Sequence, residues 1–365
     1  MAGLKSVEVW FRSIAPMALL YAFGGPRREA IPDWRARPYR VAFLRDDGIG
    51  DLIVSMETLR AIKDASPTIT LDLIASPQNA AFARTLPFID EVMVHRRGSY
   101  RSELPTWRRL RANRYDAIID GRAAVGLVNT HTMALLLASG ARWRIGVSGR
   151  RNDSVYTVPV DAGAPTSFVE MMAALATPFG VRLAQRDWRP RLTLSADERA
   201  AADALWSGIG AGRPRVLVNI SVGNEERVWR LDRYGPVIAR VRERMPRAAI
   251  LVVAMPRDQD VAGRLAAAAG GSARDLSFAQ VTAAVATADL VMTPDTSIGH
   301  VASAFQIPTL ALMRKDTAAW APYRTPGRAV FGDVKKQLEP GLPTERVVAA
   351  LDLTIDELGR SRGWV

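Results

Sequence analysis

Three short segments carry residues whose types and spacing suit chemistry on a phosphorylated ligand. The first is Gly48-Ile49-Gly50-Asp51, where two glycines permit a tight turn and Asp51 precedes an apolar stretch. A carboxylate there can take a proton from a hydroxyl. It can equally cap the helix that Leu52 and Ile53 begin. The spacing is not the full dinucleotide fingerprint, and no acidic residue closes the second strand, so no nicotinamide cofactor is indicated.

The second segment is Asp295-Thr296-Ser297-Ile298-Gly299-His300. Main-chain N–H groups of Thr296 and Ser297 at a helix start suit a phosphate, and the helix dipole adds to the attraction. The plainer alternative makes Asp295 an N-cap and His300 an ordinary helix histidine. The third is the loop from Asn219 to Trp229, in which Ser221, Gly223 and Arg227 could cradle a pyrophosphate from its other side.

The chain that positions these segments has 365 residues, enough for two domains, with 48% hydrophobic and 24% charged residues. That balance excludes a disordered or collagenous chain. The absence of cysteine excludes disulfides, thiolate zinc sites and cysteine nucleophiles. His95, His131 and His300 are too far apart in sequence to read as a metal cluster. The apolar run from Ile14 to Phe23 is interrupted by Pro16 and is too short to cross a bilayer, and no secretory cleavage site follows, so the chain reads as cytoplasmic. The net charge of +12 favours polyanionic partners, whether nucleic acid, anionic lipid or phosphorylated substrates.

Residues 1–40 stand apart. Val7, Trp10, Phe11, Ile14, Ala18 and Tyr21 recur at helical spacing, and a basic stretch from Arg27 to Arg40 follows. This segment reads either as an amphipathic element on an anionic membrane surface or as a helix docked on the protein, followed by a linker. From Val41 onward, short Val/Ile/Leu runs alternate with amphipathic stretches. Strands are predicted at 41–45, 69–75, 91–94, 115–120 and 142–147, and helices at 52–63, 78–86, 104–113, 127–138 and 167–180. After a charged linker at 185–191 the pattern restarts. Strands are predicted at 215–220, 249–254, 289–293 and 309–313, and helices at 233–245, 258–269, 278–287, 296–305 and 344–360. The implied architecture is α/β, with two Rossmann-like parallel sheets at 41–190 and 191–343 facing an interdomain cleft, and a C-terminal helix and tail at 344–365.

Taken together, the three segments resemble the family 9 glycosyltransferases, the heptosyltransferases of lipopolysaccharide inner-core assembly. That family has a strand, a loop ending Gly-Asp and a helix near its N-terminus, as 41–63 does here. It also has a loop of the type Asn-Pro-Gly-Ala-Ser-x-x-x-Lys-Arg-Trp. The segment Asn219–Trp229 has the same length, with Arg227 at the Lys position. Its Asn-Asp-Thr-Gly-x-x-His motif corresponds to Pro294–His300, followed by a buried strand and the aromatic stretch Trp320–Tyr323. This chain departs by Ser297 for the motif glycine, Gly223 for a Ser/Thr, and Ile220-Ser221 for Pro-Gly. It departs again at Arg314-Lys315-Asp316, where the family has Gly-Pro-Thr/Ser-Asp.

The resemblance implies a GT-B fold with the acceptor in the first domain and a nucleotide diphosphate sugar, ADP-heptose favoured, in the second. It also implies inversion at the anomeric carbon, with no metal and no cofactor. Asp51 becomes the base. Arg227 and the Thr296 and Ser297 amides would take the charge on the leaving diphosphate. Asp295 would hold sugar hydroxyls, His300 the loop or a phosphate, Asp258 the ribose, and Ser221 and Gly223 the phosphate loop. Arg97, Arg101 and Arg108, with Gly50, would meet an anionic glycolipid acceptor, unless the arginines merely solvate a helix face. An inner-leaflet membrane contact would follow from the N-terminal segment. Two rivals remain. One is a non-catalytic sugar-nucleotide-binding relative, against which Asp51, Arg227, Asp295 and His300 argue. The other is a basic nucleic-acid-binding protein, for which no signature appears.

Overall fold

The computed structural model describes residue 18 and residues 20–122, 127–210 and 212–364, with the side chain of Tyr100 set aside. The chain forms two compact units, one ending at Trp188 and one beginning at Arg189. Among the described residues no helix is long and apolar enough to cross a membrane.

The first unit is built on six parallel strands: β1 Tyr39–Arg45, β2 Ile69–Ala75, β3 Glu91–Val94, β4 Ala117–Asp120, β5 Trp143–Val147 and β6 Val158–Val160. Their order across the sheet is β3-β2-β1-β4-β5-β6. The connecting helices are α1 Ile49–Ala65, α2 Ala80–Ala83, α3 Tyr100–Ala112, α4 Thr130–Ala138 and α5 Phe168–Ala174. β1 and β2 are buried along nearly their whole length because helices cover both faces of the sheet, and only β2 alternates, over Ile69–Leu73.

The second unit repeats the plan. Its strands are β7 Arg215–Asn219, β8 Ala249–Val253, β9 Ser272–Arg274, β10 Leu290–Pro294, β11 Thr309–Met313 and β12 Gly327–Phe331, ordered β12-β11-β10-β7-β8-β9. Its helices are α6 Ala196–Ser207, α7 Tyr234–Arg244, α8 Gln259–Ala268, α9 Phe278–Ala286, α10 Ser297–Ala304 and α11 Thr344–Arg362. Strand order reverses direction between β1 and β4 in one sheet and between β7 and β10 in the other. Ligands of open α/β sheets bind beside the carboxyl ends at such reversals. The glycine-aspartate loop follows β1, and the Asn219 and Asp295 loops follow β7 and β10, so each candidate segment sits at a reversal.

Three strands and one helix were not anticipated. β6, β9 and β12 are edge strands of three to five residues, and β9 and most of β12 are only partly buried, so they lack the apolar run that marks a central strand. α6 draws its periodicity from alanines. Its signal is the capping box in which Ser195 accepts from the Glu198 N–H and the Glu198 carboxylate accepts from the Ser195 N–H.

The amphipathic positions Val7, Trp10, Phe11 and Ile14 lie outside the described residues. The basic stretch after them is not free-standing. Leu20 is fully buried with Leu110 and Leu136. Glu29 pairs with Arg142 at 2.8 Å, and the Trp143 indole donates to the Ala30 carbonyl at 2.9 Å. Trp34 stacks on Phe179 with ring centres 4.5 Å apart and donates to the Pro178 carbonyl at 2.8 Å. Residues 20–38 are therefore strapped onto the first unit.

Candidate functional site

In the first unit, Asp51 occupies the third position of α1, and its carboxylate accepts from the Gly48 N–H at 2.9 Å. The capping geometry that competes with a catalytic role is thus present, yet about a quarter of the side chain stays exposed. Gly50 is buried in the same turn. Behind Asp51 lies Arg45, 1% exposed, whose Nε donates to the Asp51 carbonyl at 2.8 Å and whose Nη1 donates to the Gly121 carbonyl. Position 121 must be glycine, because a Cβ there would run into the Phe43 ring and the Leu44 carbonyl.

Next to this turn runs a polar ladder that sequence reasoning missed. The carboxylate of Asp46, at the end of β1, accepts from Arg97 Nε and Nη2 at 3.0 and 2.8 Å, and Arg122 Nε stands 3.2 Å away. His95 Nδ1 is 2.7 Å from the same carboxylate, its Nε2 faces Glu103 at 3.7 Å, and His131 meets Glu103 at 3.1 Å. Burial works against the ionised Asp46, but His95, Arg97 and Arg122 outweigh it and hold the carboxyl well below the usual carboxylate range. His95 and His131, 36 positions apart in sequence, are thereby linked through one buried glutamate.

Of the arginines singled out for the acceptor, Arg97 is half-exposed on this ladder and Arg101 is exposed in the first turn of α3. Arg108 lies two turns further along α3. It lines a shallow depression with Arg111, Arg114 and Tyr115, toward the amino ends of the strands. The fold does not bring it to Asp51.

In the second unit the convergence is closer. The Asn219 side chain donates to the hydroxyls of Thr293 at 3.0 Å and Thr296 at 3.3 Å, tying the end of β7 to the end of β10. Thr296 caps α10 by accepting from the Ile298 N–H. Arg227 reaches the same corner: its Nη1 donates to the Asp295 carbonyl at 3.1 Å, and its Nε is 3.7 Å from the Asp295 carboxylate. That Nε and Asp295 Oδ2 are both buried without a hydrogen-bond partner. Buried polar atoms left in this way are rare unless a ligand completes them.

Ser221 donates to the Asp258 carboxylate at 2.6 Å and accepts from the Met255 N–H at 2.9 Å, so Asp258 is joined to the phosphate-loop candidate. Gly223 is exposed with open space around it. His300 is buried one turn into α10 with its ring edge-on to Trp320, 6.3 Å between centres. A cavity of about 270 Å³ opens at these strand ends. Its lining combines Asn219, Ser221, Thr296 and Ser297 with Met255, Leu276, Phe278 and Val281. An apolar wall beside main-chain and hydroxyl donors suits a flat base joined to a phosphorylated sugar.

The sequence matches the profile of glycosyltransferase family 9 (heptosyltransferase) over residues 104–339. The chain belongs to glycosyltransferase family 9. Among relatives of this glycosyltransferase is the lipopolysaccharide core heptosyltransferase OpsX of Haemophilus influenzae. It is 20% identical over 290 residues, which are 77% of this chain and 81% of OpsX. A family 9 glycosyltransferase of Veillonella parvula superposes with a TM-score of 0.71 at 16% identity, covering 90% of this chain and all of that one. Escherichia coli heptosyltransferase WaaC, solved with ADP-2-deoxy-2-fluoro heptose, gives 0.65 at 17% identity over 87% of this chain and 99% of WaaC. Two Rossmann-like parallel sheets and these neighbours make the fold of this glycosyltransferase GT-B, as the resemblance implied.

Proposed function

We propose that this family 9 glycosyltransferase moves a heptose from ADP-heptose to an anionic glycolipid acceptor of the lipopolysaccharide core type, with inversion and without a metal. The observation that carries the reading is the corner where Asn219, Arg227, Asp295 and Thr296 meet, with the Arg227 guanidinium beside the Asp295 carboxylate at a helix N-terminus. OpsX is a lipopolysaccharide core heptosyltransferase and WaaC was solved with an ADP-heptose analogue, which supports the donor and acceptor class.

In this reading the acceptor hydroxyl attacks the anomeric carbon as Asp51 takes its proton, and the bond from that carbon to the diphosphate breaks. Negative charge then grows on the β-phosphate. Arg227 and the N–H groups of Thr296 and Ser297 stabilise it, the latter from a helix N-terminus whose dipole has the right sign. Asp295 holds sugar hydroxyls, His300 steadies the loop, Asp258 with Ser221 holds the ribose, and Gly223 lets the loop approach the phosphates. Arg97 and Arg101, near the carboxyl ends of the strands with Gly50 and Asp51, receive the acceptor's phosphate or carboxylate. The enzyme works at the cytoplasmic face of the inner membrane, with residues 1–17 as its surface contact.

A thermal-shift screen across nucleotide diphosphate sugars tests the donor. ADP-heptose should stabilise the protein most, and a transfer assay with the best donor and a core glycolipid should yield product. A uridine-linked sugar stabilising more than ADP-heptose would overturn the assignment.

A further inference from the structure

Two carboxylates at the carboxyl end of β1 lean on one buried cation. Arg45 Nη1 lies 3.3 Å from Asp47 Oδ2, and its Nη2 lies 3.6 Å from Asp51 Oδ1. The guanidinium cannot turn toward one at the other's expense, because Nε is fixed on the Asp51 carbonyl and Nη1 on the Gly121 carbonyl. Among the other charges facing Asp47, Arg122 favours its ionised form but is committed to Asp46. Asp46 adds like charge from the same strand end, while Arg122 and Arg97 are already bonded to Asp46. Asp47 Oδ1 is buried without a hydrogen-bond partner. The backbone here has no slack, since the Asp47 carbonyl accepts from Ser76 at 2.6 Å and Asn79 at 3.2 Å. No step of the reaction described above uses Asp47.

We propose that Asp47 is a positioning residue that acts through Asp51, its change of charge setting how strongly Asp51 draws the acceptor proton. This rests on the reading of Asp51 as the base. A carboxyl that must share its one cation with a second anion in a partly dry site gives up its proton only at higher pH. Burial, reinforced by Asp51 and Asp46, pushes the Asp47 carboxyl up to about 7. When Asp47 ionises, Arg45 is divided between two anions, its hold on Asp51 weakens, and Asp51 becomes the stronger acceptor of a proton.

The test is the pH profile of kcat/KM on the full-length chain with one acceptor, for wild type, Asp47→Asn and Asp51→Asn. Wild type should rise by up to about tenfold through neutral pH, well inside the range that one catalytic proton transfer contributes. In Asp47→Asn the rise should vanish. Using the same acceptor in each case removes the contribution of its own phosphate, which also titrates near neutrality.

A rise that persists in Asp47→Asn while Asp51→Asn is inactive would overturn the proposal and leave the base in place. A uniform loss at every pH that preserves the rise would do the same, by making Asp47 merely structural. Turnover in Asp51→Asn close to wild type would remove the base itself. Carbon-13 NMR of the aspartate carboxyls reads the pair without catalysis. One carboxyl should titrate near pH 7 in wild type and be missing in Asp47→Asn, and its absence from wild type would overturn the proposal whatever the rates do.

Discussion

The guanidinium of Arg227 donates to the main-chain carbonyl of Asp295 at 3.1 Å, so a cation from the loop after β7 is anchored on the loop after β10. This bond leaves the Arg227 Nε and the Asp295 carboxylate facing each other at 3.7 Å, too far for a hydrogen bond, so a phosphate oxygen could accept from Nε and a sugar hydroxyl could donate to the carboxylate.

Replacing Arg227 by alanine should therefore weaken nucleotide diphosphate binding by about 1.5–3 kcal/mol, the usual worth of a charge-assisted hydrogen bond. Transfer should fall with it. Calorimetry with ADP reads the first effect, and unchanged affinity would remove Arg227 from the donor site.

Asp51→Asn should behave differently. A general base contributes roughly 10²- to 10⁴-fold, so kcat should drop by that factor while ADP affinity, measured on the same variant, stays near wild type. Turnover within about threefold of wild type would leave Asp51 as nothing more than the partner of the Gly48 N–H.

The two aspartates beside it should pull stability in opposite directions with pH. Asp47, raised to about 7, keeps a proton that the unfolded chain has already lost above its ordinary value, so its contribution is full in acid and fades as pH climbs to neutrality. Asp46 is lowered, so its contribution is present at neutral pH and is lost on acidification. Melting curves should show Asp47→Asn gaining on wild type as pH rises toward 8, and Asp46→Asn losing most at neutral pH. The reverse order would contradict both assignments.

The strap formed by residues 20–38 makes its own prediction. Trp34 is 5% exposed in an aromatic cluster with Tyr39, Trp143 and Phe179. Trp34→Ala should cost about 3–5 kcal/mol, and a truncation removing residues 1–38 should melt earlier for the same reason. Removing only residues 1–17 should leave the melting temperature unchanged while reducing sedimentation with anionic vesicles, if that segment is the membrane contact. Equal sedimentation of both chains would dismiss the contact.

Much of this was legible in the sequence, for identifiable reasons. β2, β3 and β11 are dominated by Val, Ile, Leu, Met and Ala, and their expected bounds match despite Thr70, Asp72, Glu91 and Thr309. Asp51, Arg227, Asp295 and Thr296 stood out in the sequence because each falls where a strand gives way to a helix, in a loop or a first helical turn. The ladder from Asp46 through His95 and Glu103 to His131 was not. Its members come from β1, the end of β3, α3 and α4, and only the strand order sets those elements side by side. Asp47 was passed over for another reason: beside Asp46 it reads as one more solvated acid, and what distinguishes it is the depth of Arg45. Arg108 was grouped with Arg97 by nearness in sequence, although eleven residues, most of them helical, carry it toward the far end of α3.

The two sheets share one strand order, and each hydrogen-bonded ladder closes within its own unit. The chain passes from one to the other only once, between Trp188 and Arg189. A crossover between two related genes at that junction exchanges the loops after β7, β8 and β10 as one set without breaking a single ladder. On the proposed function, new pairings of sugar and acceptor would then arise by recombination.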